Sequence, residues 1–127
     1  MEKQPFYGTS SPVAGAPYTP AVRVGNLLFI SGQLGLDPET KKPYESFEAQ
    51  VEGAMAGLRS LVEAAGGTLD NLVKTTIFLS GDMGHFAELN ALYSKHFGEG
   101  IKPARSTFAV AALPLGALVE IEAIAAL

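Results

Sequence analysis

Leu27-Leu28-Phe29-Ile30 is a run of four consecutive apolar residues between the turn formers Gly25-Asn26 and the polar Ser31-Gly32-Gln33. Its length and its Gly/Asn punctuation make it a β-strand. Side chains along a strand alternate between the two faces of a sheet, so four apolar neighbours demand apolar cover on both faces. Helices can supply one cover. The other has to come from elsewhere.

The first cover is legible further along. Ser46 can cap a helix in which Phe47, Val51, Met55, Leu58 and Val62 recur at steps of four, four, three and four, ending at Gly66-Gly67. Gly53, Ala54, Ala56 and Gly57 lie in its middle, where each glycine costs about 1 kcal/mol relative to alanine; close approach to a sheet explains them. Leu72 to Ser80 alternates, with Val73, Thr75, Ile77 and Leu79 on one face and Lys74, Thr76 and Phe78 on the other. Asp82 can cap a second helix with the stripe Phe86, Leu89, Tyr93 and Phe97, stopped by Gly98 and Gly100.

Ala21 to Val24 forms a hairpin with the apolar run. Two last strands, Arg105 to Ala111 and Leu118 to Ala126, are joined through Pro114 and Gly116, a short connection that suits an antiparallel pair. Residues 1–17, rich in proline and glycine, form an arm without a regular element. The order ββαβαββ predicts a single α+β domain over residues 1–127, with both helices on one face of the sheet. The other face is then closed by a second copy of the chain, which a mean hydropathy of +0.21 favours.

Composition removes several classes of function. The chain has no cysteine, hence no disulfide framework, thiolate metal site or cysteine nucleophile, and a reducing cytoplasmic setting is expected. Nine basic residues against thirteen acidic ones, a net charge of -4, give no footprint for nucleic-acid phosphates. No apolar stretch has the length of a membrane span or signal peptide. His85 and His96 lack acidic or thiolate company at ligand spacing and are expected at the surface, so no metal site is predicted. Phosphate-loop and nucleophile-elbow strings do not occur.

Arg105 stands out, opening a strand in the string Pro103-Ala104-Arg105-Ser106-Thr107-Phe108. A guanidinium among small and apolar neighbours needs an anion, because it does not lose its charge. Two readings are open. Glu120 and Glu122, on one face of the following strand, can bridge to it across the hairpin. Alternatively, its planar fork is a receptor for a carboxylate from solution.

Pro17-Tyr18, Ser31-Gly32-Gln33, Val62-Glu63-Ala64-Ala65-Gly66, Val73-Lys74-Thr75-Thr76, Asn90 with Tyr93, Pro103-Ala104-Arg105-Ser106 and Glu120-Ile121-Glu122-Ala123-Ile124-Ala125 occur in the order and spacing of the reactive-intermediate deaminase family, RidA or YjgF. From Tyr18 to Ala125 the chain resembles that family.

The resemblance implies a chorismate-mutase-like protomer, a homotrimer with clefts between subunits, and hydrolysis of 2-imino acids, released by serine and threonine dehydratases, to 2-keto acids and ammonia without a cofactor. It implies that Arg105 grips the substrate carboxylate, that Glu120 holds the attacking water, and that Tyr18, Ser31, Gly32 and Asn90 line the cleft. Family deaminases usually carry cysteine where this chain has Thr107, whose backbone N–H can still meet a carboxylate. Binding a keto acid or another small carboxylate without turnover is the alternative. An endoribonuclease or translation-inhibitor role, also attached to the family, fits an acidic chain poorly.

Overall fold

The computed structural model describes residues 1–9 and 15–127, so Pro12 of the arm lies outside the described residues. Six strands form one mixed sheet: β1 (Gln4–Phe6), β2 (Ala21–Val24), β3 (Leu27–Gln33), β4 (Leu72–Ser80), β5 (Ala104–Val110) and β6 (Val119–Ala126), in the spatial order β1-β2-β3-β6-β4-β5. Helices α1 (Phe47–Ala64) and α2 (Phe86–Ser94) pack on one face of it.

Helix α1 forms as its sequence dictates. The Ser46 hydroxyl accepts the Ala49 N–H at 3.1 Å, satisfying one of the unpaired donors of the first turn. At the other end Gly66 adopts φ +92°, and Gly67 and Gly66 donate back to the carbonyls of Val62 and Glu63 at 2.9 and 3.0 Å. That is the Schellman pattern, and its left-handed residue is one that glycine adopts without a Cβ penalty. Val51, Met55, Leu58 and Val62 are fully buried, each such side chain contributing about 1.5–3 kcal/mol of transfer free energy. The glycines in mid-helix mark close approach. A Cβ at Gly53 would sit 2.7 Å from the Gly35 Cα, and one at Gly57 would sit 2.6 Å from the Gln33 side-chain oxygen.

Four expectations need correction. The arm contributes β1, a three-residue edge strand antiparallel to β2. Asp82 does not cap α2; its carboxylate accepts the Gly84 N–H at 2.8 Å within a turn, and the helix starts at Phe86 and ends at Ser94, before the glycines. Val73 is exposed, because a bulge between Leu72 and Lys74 turns it off the face that carries Thr75, Ile77 and Leu79. Most consequentially, β5 and β6 are not partners. Strand β5 pairs parallel with β4 after the α2 crossover, and β6 lies between β3 and β4, antiparallel to both. The eight residues between Val110 and Val119 reach more than about 25 Å when extended, and stepping over one intervening strand needs only about 10 Å.

Strand β6 can take the centre because every second residue, Val119, Ile121, Ala123 and Ala125, is buried against the helices. Among the described residues no helix covers the opposite face, which is partly exposed. Leu28 and Ile30 are buried beneath α1, whereas Leu27 and Phe29 are 38% and 44% exposed. Across the same open face Phe78 meets Phe108 edge-on at 5.1 Å, and Phe108 is 45% exposed. Among the described residues no helix is long and apolar enough to cross a membrane.

Replacing Gly53 by alanine is expected to lower stability by about 1–3 kcal/mol through overpacking against Gly35, although alanine is the better helix former. Urea denaturation checks this, and an unchanged or raised midpoint would show that the two backbones are not in forced contact.

Candidate functional site

Register divides the candidate residues into two groups. Arg105 pairs with Thr75 and Thr107 with Ile77; Thr75 and Ile77 point into the helix-covered face, where both are fully buried. Glu120 pairs with Phe78 and Glu122 with Thr76, so these carboxylates point to the open face, the two of them together as expected. Within one chain Arg105 and Glu120 therefore occupy opposite faces of the sheet, with β4 between their strands. The hairpin bridge that the spacing allowed does not form. Among the described residues the only side chains of opposite type within ion-pair distance are His85 and Glu88, at 3.1 Å, and His96 and Glu52, at 2.9 Å, and Arg105 takes part in neither contact.

On the helix-covered face the half-buried Arg105 donates from Nη2 to the Asn90 side-chain oxygen at 2.7 Å. Its guanidinium carbon lies 5.2 Å from the centre of the Tyr93 ring and 5.7 Å from that of Phe86. Asn90, Tyr93 and Phe86 all come from α2. The helix that carries the chain from β4 to β5 thus supplies the setting of the arginine. Tyr93 shares a 2.8 Å hydrogen bond with the hydroxyl of buried Thr75, and burial pushes its pKa up, with the Thr75 bond and the Arg105 charge opposing.

The Thr107 hydroxyl is buried without a hydrogen-bond partner, so what Thr107 can offer a ligand is its main chain. The Val110 carbonyl accepts the Gly81 N–H at 2.7 Å and therefore faces β4. Main-chain groups alternate in direction along a strand, and the register of β4 with β5 is unbroken. The amides of Arg105, Thr107 and Ala109 consequently face the free edge of the sheet.

The second group surrounds Glu120. An added Cβ at Gly32 would lie 2.7 Å from the carboxyl carbon of Glu120; the glycine leaves the space that the carboxylate fills. Ser31 beside it donates its hydroxyl to the Thr19 carbonyl at 2.7 Å, and its N–H to the Pro20 carbonyl at 2.8 Å. These bonds pin the chain next to Tyr18, whose side chain is 58% exposed. Burial, reinforced by the charge of Glu122, raises the pKa of Glu120 above its ordinary 4.5. The structure thus brings Arg105, Asn90 and Thr107 together on one side and sets Glu120 against Gly32 beside Ser31 on the other, with Tyr18 next to Thr19, whose carbonyl Ser31 bonds.

Tyr93, Phe86 and Thr75 were not singled out for Arg105 by sequence reasoning. The signal was present, since Phe86 and Tyr93 belong to the apolar stripe of α2, but a stripe reads as core. The histidines differ from expectation in part. His85 is half exposed and stacks on Phe47 at 4.1 Å between ring centres, whereas the His96 side chain is only 13% exposed and ties α2's end to Glu52 of α1. Its Nε2 lies against the Glu52 carboxylate but off the angle of a hydrogen bond.

The family model described as Endoribonuclease L-PSP matches residues 8–127, and the chain belongs to that family, which includes the RidA and YjgF proteins. It is 43% identical over 128 residues to the Arabidopsis thaliana protein named Reactive Intermediate Deaminase A, chloroplastic, spanning 100% of this chain and 67% of that one. Against the mouse 2-iminobutanoate/2-iminopropanoate deaminase the identity is 44% over 119 residues, covering 92% and 86% of the two chains. The crystal structure of RidA from an Antarctic Psychrobacter superposes with a TM-score of 0.89 at 43% identity, covering 98% of this chain and 99% of that one.

A carboxyl whose folded-state pKa is raised binds its proton more readily in the native state than in the unfolded chain. Its contribution to stability is then fully present below about 4.5 and is lost as pH rises through the folded value. Glu120→Gln is accordingly expected to be more stable than the parent at pH 7 and to lose that advantage as pH falls below the ordinary glutamate value. Thermal melts across pH 3–8, about the range that spans both protonation states, check it; an advantage that does not vary with pH would contradict it.

Proposed function

We propose that the chain hydrolyses small 2-imino acids to 2-keto acids and ammonia, in clefts assembled between three copies of itself. The observation that carries this reading is an arginine that has no acidic partner among the described residues. Arg105 is fixed by Asn90 on one donor and keeps others free beside outward-facing main-chain amides. That is a receptor for a planar carboxylate, each charge-assisted hydrogen bond contributing about 1.5–3 kcal/mol.

The open sheet face supports assembly. Exposed Leu27, Phe29 and Phe108 lie on the same side as Glu120, so covering this face with a second copy would bury apolar surface and the Glu120 cluster together. An assembly that sets the free edge of β5 from one copy against the open face of the next would put the Arg105 of one beside the Glu120 of the other. The activities named for the Arabidopsis and mouse relatives favour imine hydrolysis as the chemistry of such a cleft.

In the proposed reaction the substrate carboxylate lies on Arg105 and the Thr107 N–H. Glu120 of the neighbouring copy, ionised, takes a proton from water as the oxygen bonds to C2 of the imine. The resulting carbinolamine collapses: the proton passes from Glu120 to nitrogen, the C2–N bond breaks as ammonia leaves, and Glu120 takes the hydroxyl proton as the C2–O bond becomes a carbonyl, then releases it to water, where ammonia takes it up as ammonium. The raised pKa of Glu120 favours return of the proton it takes. An iminium carbon is already electrophilic, so the protein's contribution is placement and charge.

The test supplies 2-iminobutanoate in situ from threonine and a threonine dehydratase and times the appearance of 2-ketobutyrate. Arg105→Ala is expected to lower kcat/KM by about 100-fold or more, the loss of two charge-assisted bonds. Glu120→Gln is expected to lower kcat by about 100-fold or more with little change in KM, and to abolish the fall in rate as pH drops through the glutamate's raised pKa. The native mass should be three times 13.3 kDa. No acceleration by the parent protein would reject deamination, and 2-ketobutyrate binding without turnover would select a carboxylate-binding protein instead.

A further inference from the structure

We propose that Tyr93 is a positioning residue for Arg105, its ring a rigid platform that sets the plane of the guanidinium; this rests on the reading of Arg105 as the carboxylate grip.

An arginine side chain has four rotatable bonds, and a single hydrogen bond does not fix it. Asn90 holds one Nη2 donor at 2.7 Å, which leaves the group free to swing about that contact. The Tyr93 ring removes the swing. It lies 5.2 Å from the guanidinium carbon, inside the range in which a cation is attracted to a ring face. Phe86, at 5.7 Å, supplies a second aromatic neighbour from about two helical turns earlier on α2.

A platform works only if it does not itself move. The Tyr93 side chain is held at both ends: its backbone belongs to α2, and its hydroxyl is bonded at 2.8 Å to Thr75, which is fully buried in β4 directly opposite Arg105 in the register. Helix, strand and arginine are thus tied through one ring. The hydroxyl has no need to reach a ligand, and the ring has no need to touch one. Tyr93 acts through Arg105 alone.

A purely structural tyrosine and a platform respond differently to substitution. Tyr93→Phe keeps the ring and loses the tether, whereas Tyr93→Leu keeps apolar bulk and loses the ring. Two readouts on the full-length protein separate them. The first is the Arg105 Nε–H resonance without ligand, assigned by its loss in Arg105→Lys, which senses the ring whether or not any substrate binds. The second is kcat and KM for 2-iminobutanoate formed in situ.

For Tyr93→Phe, which keeps the ring but frees its outer end, the resonance is expected to stay ring-shifted but to broaden, with KM raised about two- to three-fold; for Tyr93→Leu it should collapse towards that of a solvent-exposed arginine, with KM raised about five- to thirty-fold. The carboxylate contact is shared by ground and transition states, so kcat should change much less. Tyr93→Met replaces the leucine variant if that protein does not fold. An Arg105 resonance unmoved by loss of the ring overturns the proposal, as does an equal rise of KM in Tyr93→Phe and Tyr93→Leu, which would make Tyr93 an ordinary core residue. If the resonance behaves as expected but even the parent does not turn over the imine, the platform stands and the deaminase reading fails.

Discussion

The contact between the Arg105 guanidinium and α2 governs how the rest of the site is organised. A permanent cation, half withdrawn from water, has to be compensated, and the usual compensation is a carboxylate. Here it is an amide oxygen and two aromatic faces. These partners hold the group in place without neutralising it. The charge stays available, and the cost of keeping it so is offset by partial exposure at the edge of the sheet.

Topology explains why no acid of the same chain reaches it among the described residues. The α2 crossover commits β5 to the outer edge of β4, in parallel, and β6 occupies the other edge of β4. Glu120 and Glu122 then alternate onto the face away from the helices. The same arrangement leaves Leu27, Phe29 and Phe108 uncovered. One feature of the sheet order thus separates the cation from the carboxylates and exposes the surface on which a second copy could reunite them. A site divided between copies would also be completed only by association, which would make the folded protomer chemically incomplete when alone.

Much of the protomer was legible from residue pattern. The Ser46 cap, the α1 stripe and the Gly66 stop are local signals with local causes, and they appear where the sequence places them. The four-residue apolar run called for cover on both faces of β3; the helices cover Leu28 and Ile30 on one face, and Leu27 and Phe29 on the other stay exposed. Pairing was not legible. A connection of the length between Val110 and Val119 serves a hairpin or a one-strand skip equally well, and the choice was settled by the parallel crossover and by the burial of alternate residues in β6. With that pairing went the supposed partner of Arg105. Its real neighbours, Asn90, Tyr93 and Phe86, come from a helix ahead of it in sequence, and an aromatic residue that is both core and platform carries no mark of the second role.

The central claim is that Arg105 of one copy works with Glu120 of another, and subunit mixing tests it most directly. Arg105→Ala and Glu120→Gln proteins are each inactive in this account. Unfolded together in equal amounts and refolded, they should regain up to about one quarter of parental activity, the share of interfaces that pair an intact arginine with an intact glutamate in a randomly mixed cyclic assembly. Mixtures that form by mass yet stay as inactive as either parent variant would contradict a site divided between copies.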